Sequence, residues 1–536
     1  MEHRGRGRTG HGICSLSPAE KLPMSDGMER SPVQLSIPTA DAVPATVEAN
    51  RLRRGVISLP DTIAQSVTVM APALSAAFIS YLAAIKAGGA TPLAFLLAMG
   101  SCLVVGCVVS GFALRLPSAG SLYTYTVNGL GSFWGFVVGC SYLFAGVLGG
   151  VAVLAGFAVF TSQLMGNLGA PGLLQEWSLW YAVGLFLYFF LSYFGIVFST
   201  RTQLVFTAAT MATLLLLAAI IIGKGGAHGN TLDAFRPGAA GDRWPLILGG
   251  LAFGIFSFMG FETAASLAEE TRNPRRNIPA AVMGAVVVVG IFYAIVTYAI
   301  AIGYGVREAT TAWPESAGSL TALTRRYAPY LGDSVLLAGG LAGLFSGLAT
   351  HNVMTRVLYA MGREGVLPRG LGRTHRVHQT PHMAIILSLA LLGAGAAVMI
   401  GVTAPAARDA IGAAPGPLSS GFYLFAEGFT IAIPLLMLCL VMVSIAGLRS
   451  AASLGARWRT VRSVAVSIGS LIVTTVGLTG SLYYSFVEVT PGAGIPGPYR
   501  AVPVVGALVV TIAGVVALVL RNRRRAAWEN MGALFE

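Results

Sequence analysis

The chain has 536 residues, 55% of them hydrophobic and only 11% charged, and carries a formal net charge of +13. Its mean hydropathy is +0.73. Soluble proteins hold about 25% charged residues, so this much apolar sequence excludes a water-surrounded globule and makes lipid part of the solvent. The basic residues lie between apolar runs rather than in one patch, which argues for membrane topology and against nucleic acid as a partner. Cys14, Cys102, Cys107, Cys140 and Cys439 show neither metal-ligand spacing nor a readable disulfide framework, and read as packing residues.

Residues 1–54 are polar, rich in Arg, Pro, Ser and Gly, and lack the apolar centre of a cleavable signal peptide. They read as a disordered cytoplasmic tail. Apolar runs then recur at 61–84, 92–114, 133–162, 178–198, 202–223, 245–267, 278–304, 334–360, 382–402, 420–447, 463–486 and 500–520. Each is long enough to cross about 30 Å of hydrocarbon as a helix. The short alternating strands of a barrel are absent from the sequence pattern. Twelve spans place both termini on one side. Counting from cytoplasmic termini, 26 of the 35 Lys and Arg residues fall on the inner side and 9 on the outer. That asymmetry predicts a multi-pass cell-membrane protein with both termini in the cytoplasm.

Two spans contain breaks. The first holds MAPALSAAF, with Pro72 in mid-span, and the sixth holds FGIFSFMGF, with Gly254 and Gly260 around aromatic rings. Proline removes a backbone donor and glycine relaxes the chain. Freed backbone groups are tolerated in a bilayer only where they face protein or a water-filled cavity. Breaks in the opening spans of two successive five-span blocks point to a transporter site.

Immediately after the second break comes GFETAASLAEETRNPRRNIPAA at 260–281. With TRVLYAMGREGVLPRGLGRTHRVHQTP at 355–381 and LPSAGSLYTYTVNGLGSFWGF at 116–136, it resembles the amino acid–polyamine–organocation (APC) superfamily over about residues 55–520. The resemblance implies an all-α integral membrane protein of the leucine-transporter type. It would comprise a first inverted repeat at 55–223, a second at 224–447, two extra helices at 448–520 and a cytoplasmic tail at 521–536. It further implies a permease, not an enzyme, that carries an amino acid or related amine without a cofactor. The coupling ion would be a proton or sodium, or the carrier would exchange substrates. A twelve-helix carrier for another organic solute is the alternative. A membrane-embedded enzyme would require a catalytic cluster, and none stands out in the sequence.

The resemblance puts substrate between the two breaks, on Ala71, Pro72, Ala73, Leu74 and Ser75 and on Phe256, Ser257, Phe258, Met259 and Gly260. The first break departs from the family's usual glycine–serine–glycine stretch and keeps only the Ser75 hydroxyl. Physically, a broken helix offers N–H groups at the start of its second half and carbonyls at the end of its first, which suits a zwitterion. Phe256 is the candidate aromatic gate.

Glu262 sits in the apolar interior, where an acid costs roughly 2.5 kcal/mol or more and needs a cavity or partner. It reads either as a proton carrier or as a prop hydrogen-bonded to the broken backbone. Ser346 and Thr350 are candidate sodium ligands or ordinary helix-packing hydroxyls. On the cytoplasmic side, Glu270 and Arg363 are candidates for a gating ion pair. Tyr123 and Tyr125 read as interface anchors.

Overall fold

The computed structural model describes residues 52–193, 196–241, 244–315, 319–375, 378–411, 420–452, 457–486 and 502–532. The expected N-terminal tail lies outside this range except for Leu52–Arg54, and residues 533–536 of the expected C-terminal tail lie outside it too. The described residues are overwhelmingly helical, and strand pairing among them is limited to a parallel bridge between Ile57 and Thr271.

The first helix, α1 (Leu59–Val69), starts on a reciprocal cap: the Ser58 hydroxyl caps Asp61, whose carboxylate accepts from the Ser58 backbone. Pro60 falls in the first turn, where its missing N–H costs nothing. The helix stops at Met70, and α2 (Pro72–Ala87) begins after Ala71, which adopts left-handed φ 45° and ψ 59°. Pro72 cannot donate into the preceding turn, so the α1 ladder cannot run through it. A second interruption separates α8 (Trp244–Ser257) from a tighter 3-10 segment at Phe261–Leu267. Gly260 joins them at φ 106°, a conformation open to glycine.

Between these lie α3 (Thr91–Ala113), the short α4 (Leu122–Leu130), α5 (Ser132–Asn167), α6 (Trp177–Tyr193) and α7 (Ile196–Gly223). After the second interruption come α9 (Pro274–Tyr304), α10 (Ala309–Glu315), α11 (Ser319–Tyr327), α12 (Gly332–Arg363), α13 (His382–Ile411), α14 (Ser420–Ala452), α15 (Arg457–Phe486), α16 (Val502–Arg523) and α17 (Arg525–Glu529). The short α4, α10 and α11 carry no long apolar run and were not foreseen in the sequence.

Ten helical stretches among the described residues are long and apolar enough to cross a membrane. The first is a 55-residue stretch, Leu59–Ala113, that contains the first two expected spans, and the 17-residue α6 is shorter than the rest. The long α5 forms the middle of the bundle, packed against α12 and α14. Its glycines allow that approach: a Cβ at Gly156 would meet the Phe425 ring at 3.1 Å. In α5, 72% of the most apolar window is buried, against 22% in α15 and 11% in α16. The last two long helices are therefore peripheral, and they present Ile472, Val504, Leu508 and Ile512 outward.

Candidate functional site

The two interruptions lie side by side and are tied by side chains. Ser66 of α1 donates to the Phe261 carbonyl (2.8 Å) and accepts from the Ala264 N–H (2.9 Å). It thereby satisfies backbone groups that the break releases. Tyr293 of α9 donates to the Ser257 carbonyl at 2.9 Å and lies 3.4 Å from the Met70 carbonyl. From α12, the Ser346 hydroxyl donates to the Val69 carbonyl at 2.9 Å.

Beside this junction lies a cavity of about 90 Å³. Val69, Met259 and Gly260 contribute to it from the interruptions. Tyr142 and Gly149 come from α5, Ser346, Thr350 and Met354 from α12, and Phe429, Ile433 and Leu436 from α14. Glu262 is fully buried at its wall. Its carboxylate accepts from the Gly260 N–H (3.2 Å) and the Tyr142 hydroxyl (3.1 Å).

The cavity gathers only part of the residue set read from the sequence. Met259, Gly260, Glu262, Ser346 and Thr350 line it, whereas Ala71, Pro72, Ala73, Leu74 and Ser75 and Phe256, Ser257 and Phe258 do not. Ser75 turns its hydroxyl back onto the Met70 carbonyl (3.0 Å). Phe256 packs edge-on against Phe253 (5.8 Å between centroids), and Phe258 packs edge-on against Tyr293 (5.3 Å). A row of aromatic rings runs from Phe429, which lines the cavity, to Phe425 (5.1 Å), Phe78 (5.0 Å) and Phe160 (5.6 Å). As for the two hydroxyls on α12, Ser346 is engaged with Val69 and Thr350 donates to the Ser346 carbonyl (2.9 Å).

At the charged end of the bundle the ion pairing differs from the expected Glu270–Arg363. Glu270 pairs with Arg356, through Nε–Oε2 at 3.0 Å and Nη2–Oε1 at 3.2 Å, both side chains 3% exposed. Arg363 pairs with Glu269, at 2.9 and 2.6 Å, both side chains 15% exposed. Arg356 and Arg363 stand two turns apart on one helix, while Glu269 and Glu270 are neighbours that diverge in a turn. Each acid therefore takes a different arginine. The Glu270 carbonyl also accepts from the Val56 and Ile57 N–H groups (2.9 and 3.0 Å), fastening the segment before α1 to this turn.

Tyr123 and Tyr125 are fully buried rather than set in an interface belt. Tyr123 donates to Glu364, and Tyr125 stacks on Phe112 at 5.3 Å. Residues around α17 complete this end. Arg524 donates to the Gly365 carbonyl (3.3 Å), Asn128 to the Gly532 carbonyl (3.2 Å) and Ser132 to the Trp528 carbonyl (3.2 Å).

Tyr142, Met354, Phe429 and Ile433 were missed in the sequence because apolar or aromatic residues inside a membrane helix look alike whichever way they face. The spacing of Tyr142 carried no distinguishing signal. Arg356 carried one: a cation inside an apolar run needs a buried acid.

Comparison with known proteins agrees with this architecture. A solved structure of MhsT in complex with L-phenylalanine superposes with a TM-score of 0.52 at 16% identity, covering 80% of this chain and 99% of that one. The branched-chain amino acid permease BcaP of Bacillus subtilis is 27% identical over 321 residues, 56% of this chain and 66% of its own length. The low-affinity putrescine importer PlaP of Escherichia coli is 28% identical over 319 residues, 57% of this chain and 67% of its own. The serine/threonine exchanger SteT of Bacillus subtilis is 27% identical over 301 residues, 54% of this chain and 64% of its own. The chain thus spans about two thirds of the length of these relatives. The family model for amino acid permeases matches residues 69–531, and the chain belongs to that family.

Proposed function

We propose that the chain is a secondary transporter that moves an amino acid or related amine across the cell membrane by alternating access. The observation that carries this reading is the acid-bearing cavity at the junction of two interrupted helical runs. Irregular backbone and a buried acid meet there, the setting in which transporters bind small charged solutes. Membership of the amino acid permeases and the named activities of the relatives support it.

In this reading the chain has twelve spans, with Leu59–Ala113 holding two and the 17-residue α6 counting as one. They form inverted repeats at 55–223 and 224–447 with two added helices, α1–α2 and α8 with its 3-10 extension being the discontinuous pair. Both termini are cytoplasmic, so the Glu269–Arg363 and Glu270–Arg356 pairs close the inner end and the Phe78–Phe160–Phe425–Phe429 rings the outer. Substrate bound at the junction lies against Val69, Met259 and Gly260 beside the Glu262 carboxylate, with the first turn of α2 at Ala73 and Leu74 reached only if the two interruptions part. Glu262 takes the coupling proton while also holding the Gly260 N–H.

The test is uptake and counterflow in proteoliposomes, with radiolabelled amino acids and polyamines under imposed proton or sodium gradients. Gradient-driven or exchange flux of such a solute is expected, and its absence for every one sinks the reading. Glu262→Gln is expected to abolish the pH dependence of flux. Unchanged pH dependence in that variant assigns the proton elsewhere.

A further inference from the structure

We infer that the transported solute is a neutral amino acid with a bulky apolar side chain, of the leucine-to-phenylalanine class. This deepens the transport reading and rests on it. The cavity wall away from the interruptions is built from Val153, Met354, Phe429, Ile433 and Leu436, none of which offers a polar side-chain atom. Among the described residues lining the cavity, Glu262 is the single carboxylate, and there is no Lys, Arg or His.

The lining hydroxyls are already engaged. Ser346 donates to Val69, Thr350 to Ser346, and Thr263 to the Gly260 carbonyl at 2.6 Å. Tyr142 donates to Glu262. One ammonium has a partner in Glu262 while that carboxylate is ionised, before it takes the coupling proton. A second cationic centre, as in lysine or putrescine, would be buried against apolar carbon without a counter-charge, and an acidic side chain would meet no cation. Uncompensated burial of either charge is strongly unfavourable. A hydroxyl side chain would lose water and gain no free donor on that wall. Met259 and Met354 are unbranched and deformable, so the wall can close on branched aliphatic and aromatic shapes alike.

Gly149 gives a direct handle on the cavity. A Cβ built there meets only the Ala432 Cβ, at 3.9 Å, which is ordinary contact. Gly149 and Ala432 both line the cavity, so a valine at position 149 adds bulk to that wall.

The experiment uses full-length protein in proteoliposomes. It compares uptake or counterflow of leucine, isoleucine, methionine and phenylalanine with that of lysine, putrescine, serine and aspartate. Thermal shifts with the same compounds in detergent provide a readout of binding without flux. Apolar amino acids are expected to show at least ten-fold higher apparent affinity than the charged compounds. In Gly149→Val, the ratio of phenylalanine to valine flux is expected to fall at least ten-fold. Flux or binding that favours lysine, putrescine, serine or aspartate overturns the side-chain class and leaves the transport reading standing. Neither flux nor thermal shift with any compound overturns both. An unchanged phenylalanine-to-valine ratio in Gly149→Val removes the cavity from substrate selection, and with it the inference.

Discussion

Arg356 and Glu270 form a two-pronged ion pair in which each side chain is 3% exposed. A third guanidinium nitrogen binds the Thr355 hydroxyl at 2.9 Å. Desolvation offsets much of the attraction in such a pair, but removing one partner strands the other charge. Arg356→Met is therefore expected to destabilise the protein by about 3–5 kcal/mol. Joining it with Glu270→Met should return a large part of that loss. Thermal or denaturant unfolding of the two single variants and the double variant measures this, and additive losses would show that the two residues do not act as a pair.

The Glu269–Arg363 pair responds differently. Arg363 grips both oxygens of Glu269, and Glu269 also accepts from the Ala119 N–H at 3.2 Å. Arg363→Lys keeps the charge and loses the fork. At 15% exposure the pair is partly wet, so the expected cost is smaller, on the order of 1 kcal/mol. In the transport reading this variant opens the inner end more readily. Labelling of an engineered cysteine at the inner mouth should speed up, and unaltered labelling would separate Arg363 from gating.

The long apolar runs were legible because each must cross the same thickness of hydrocarbon, and periodicity plus length reports that directly. Helix geometry changes at Ala71 and Gly260, next to or at the two residues, Pro72 and Gly260, that each force a backbone choice. Which face each helix turns inward was not legible. An all-round apolar helix shows no polar face to orient it, so Tyr142, Met354 and Phe429 could not be told from lipid-facing neighbours. The ion pairs were half legible. The sequence singled out Glu270 and Arg363, but their partners depend on how a turn splays Glu269 from Glu270. Tyr123 was misjudged because an aromatic near a span end suits a belt and a buried hydrogen bond equally well.

Gly260 tests the second interruption. Its φ of 106° is open to glycine, and an added Cβ would stand 2.3 Å from the Val69 Cγ1. Gly260→Ala must strain the backbone, displace α1, or both, at roughly 1–3 kcal/mol. Because Val69 and Gly260 line one cavity, transport should fall more steeply than thermal stability. A variant with full flux would place the working site elsewhere.

Glu364 gives the charged end of the bundle a pH dependence. Burial pushes its carboxyl up to about 7, against the pull of the Tyr123 hydroxyl, the Gly532 N–H and the Arg363 charge; Glu269 pushes it further up. An exposed glutamate titrates near 4.3. Between about pH 4.3 and 7 the packed end therefore holds more protons than one in which Glu364 is exposed. Its stability is greatest at low pH and is lost as pH rises through about 7, by on the order of 3–4 kcal/mol. Glu364→Gln should flatten this part of the profile, read as unfolding temperature or cysteine accessibility at pH 5 and pH 8. Parallel profiles for both proteins would remove Glu364 as the titrating group.

The segment around α17 supplies the last prediction. Met531 is 6% exposed, and Gly532, at φ 70°, leaves no room for a side chain: an added Cβ would stand 2.7 Å from Val127 Cγ1 and 3.0 Å from Asn128 Nδ2. Gly532→Val should lift this segment off α4 and break the Asn128 contact. The Gly532 N–H would leave Glu364 at the same time, since one short segment carries both bonds. Limited proteolysis is the direct measurement, with cleavage between Arg523 and Gly532 expected to accelerate at least several-fold. Wild-type cleavage rates in Gly532→Val would mean that the packing against Val127 does not hold the segment in place. Asn128→Ala removes one hydrogen bond and leaves the packing intact, so it should produce a smaller effect in the same direction.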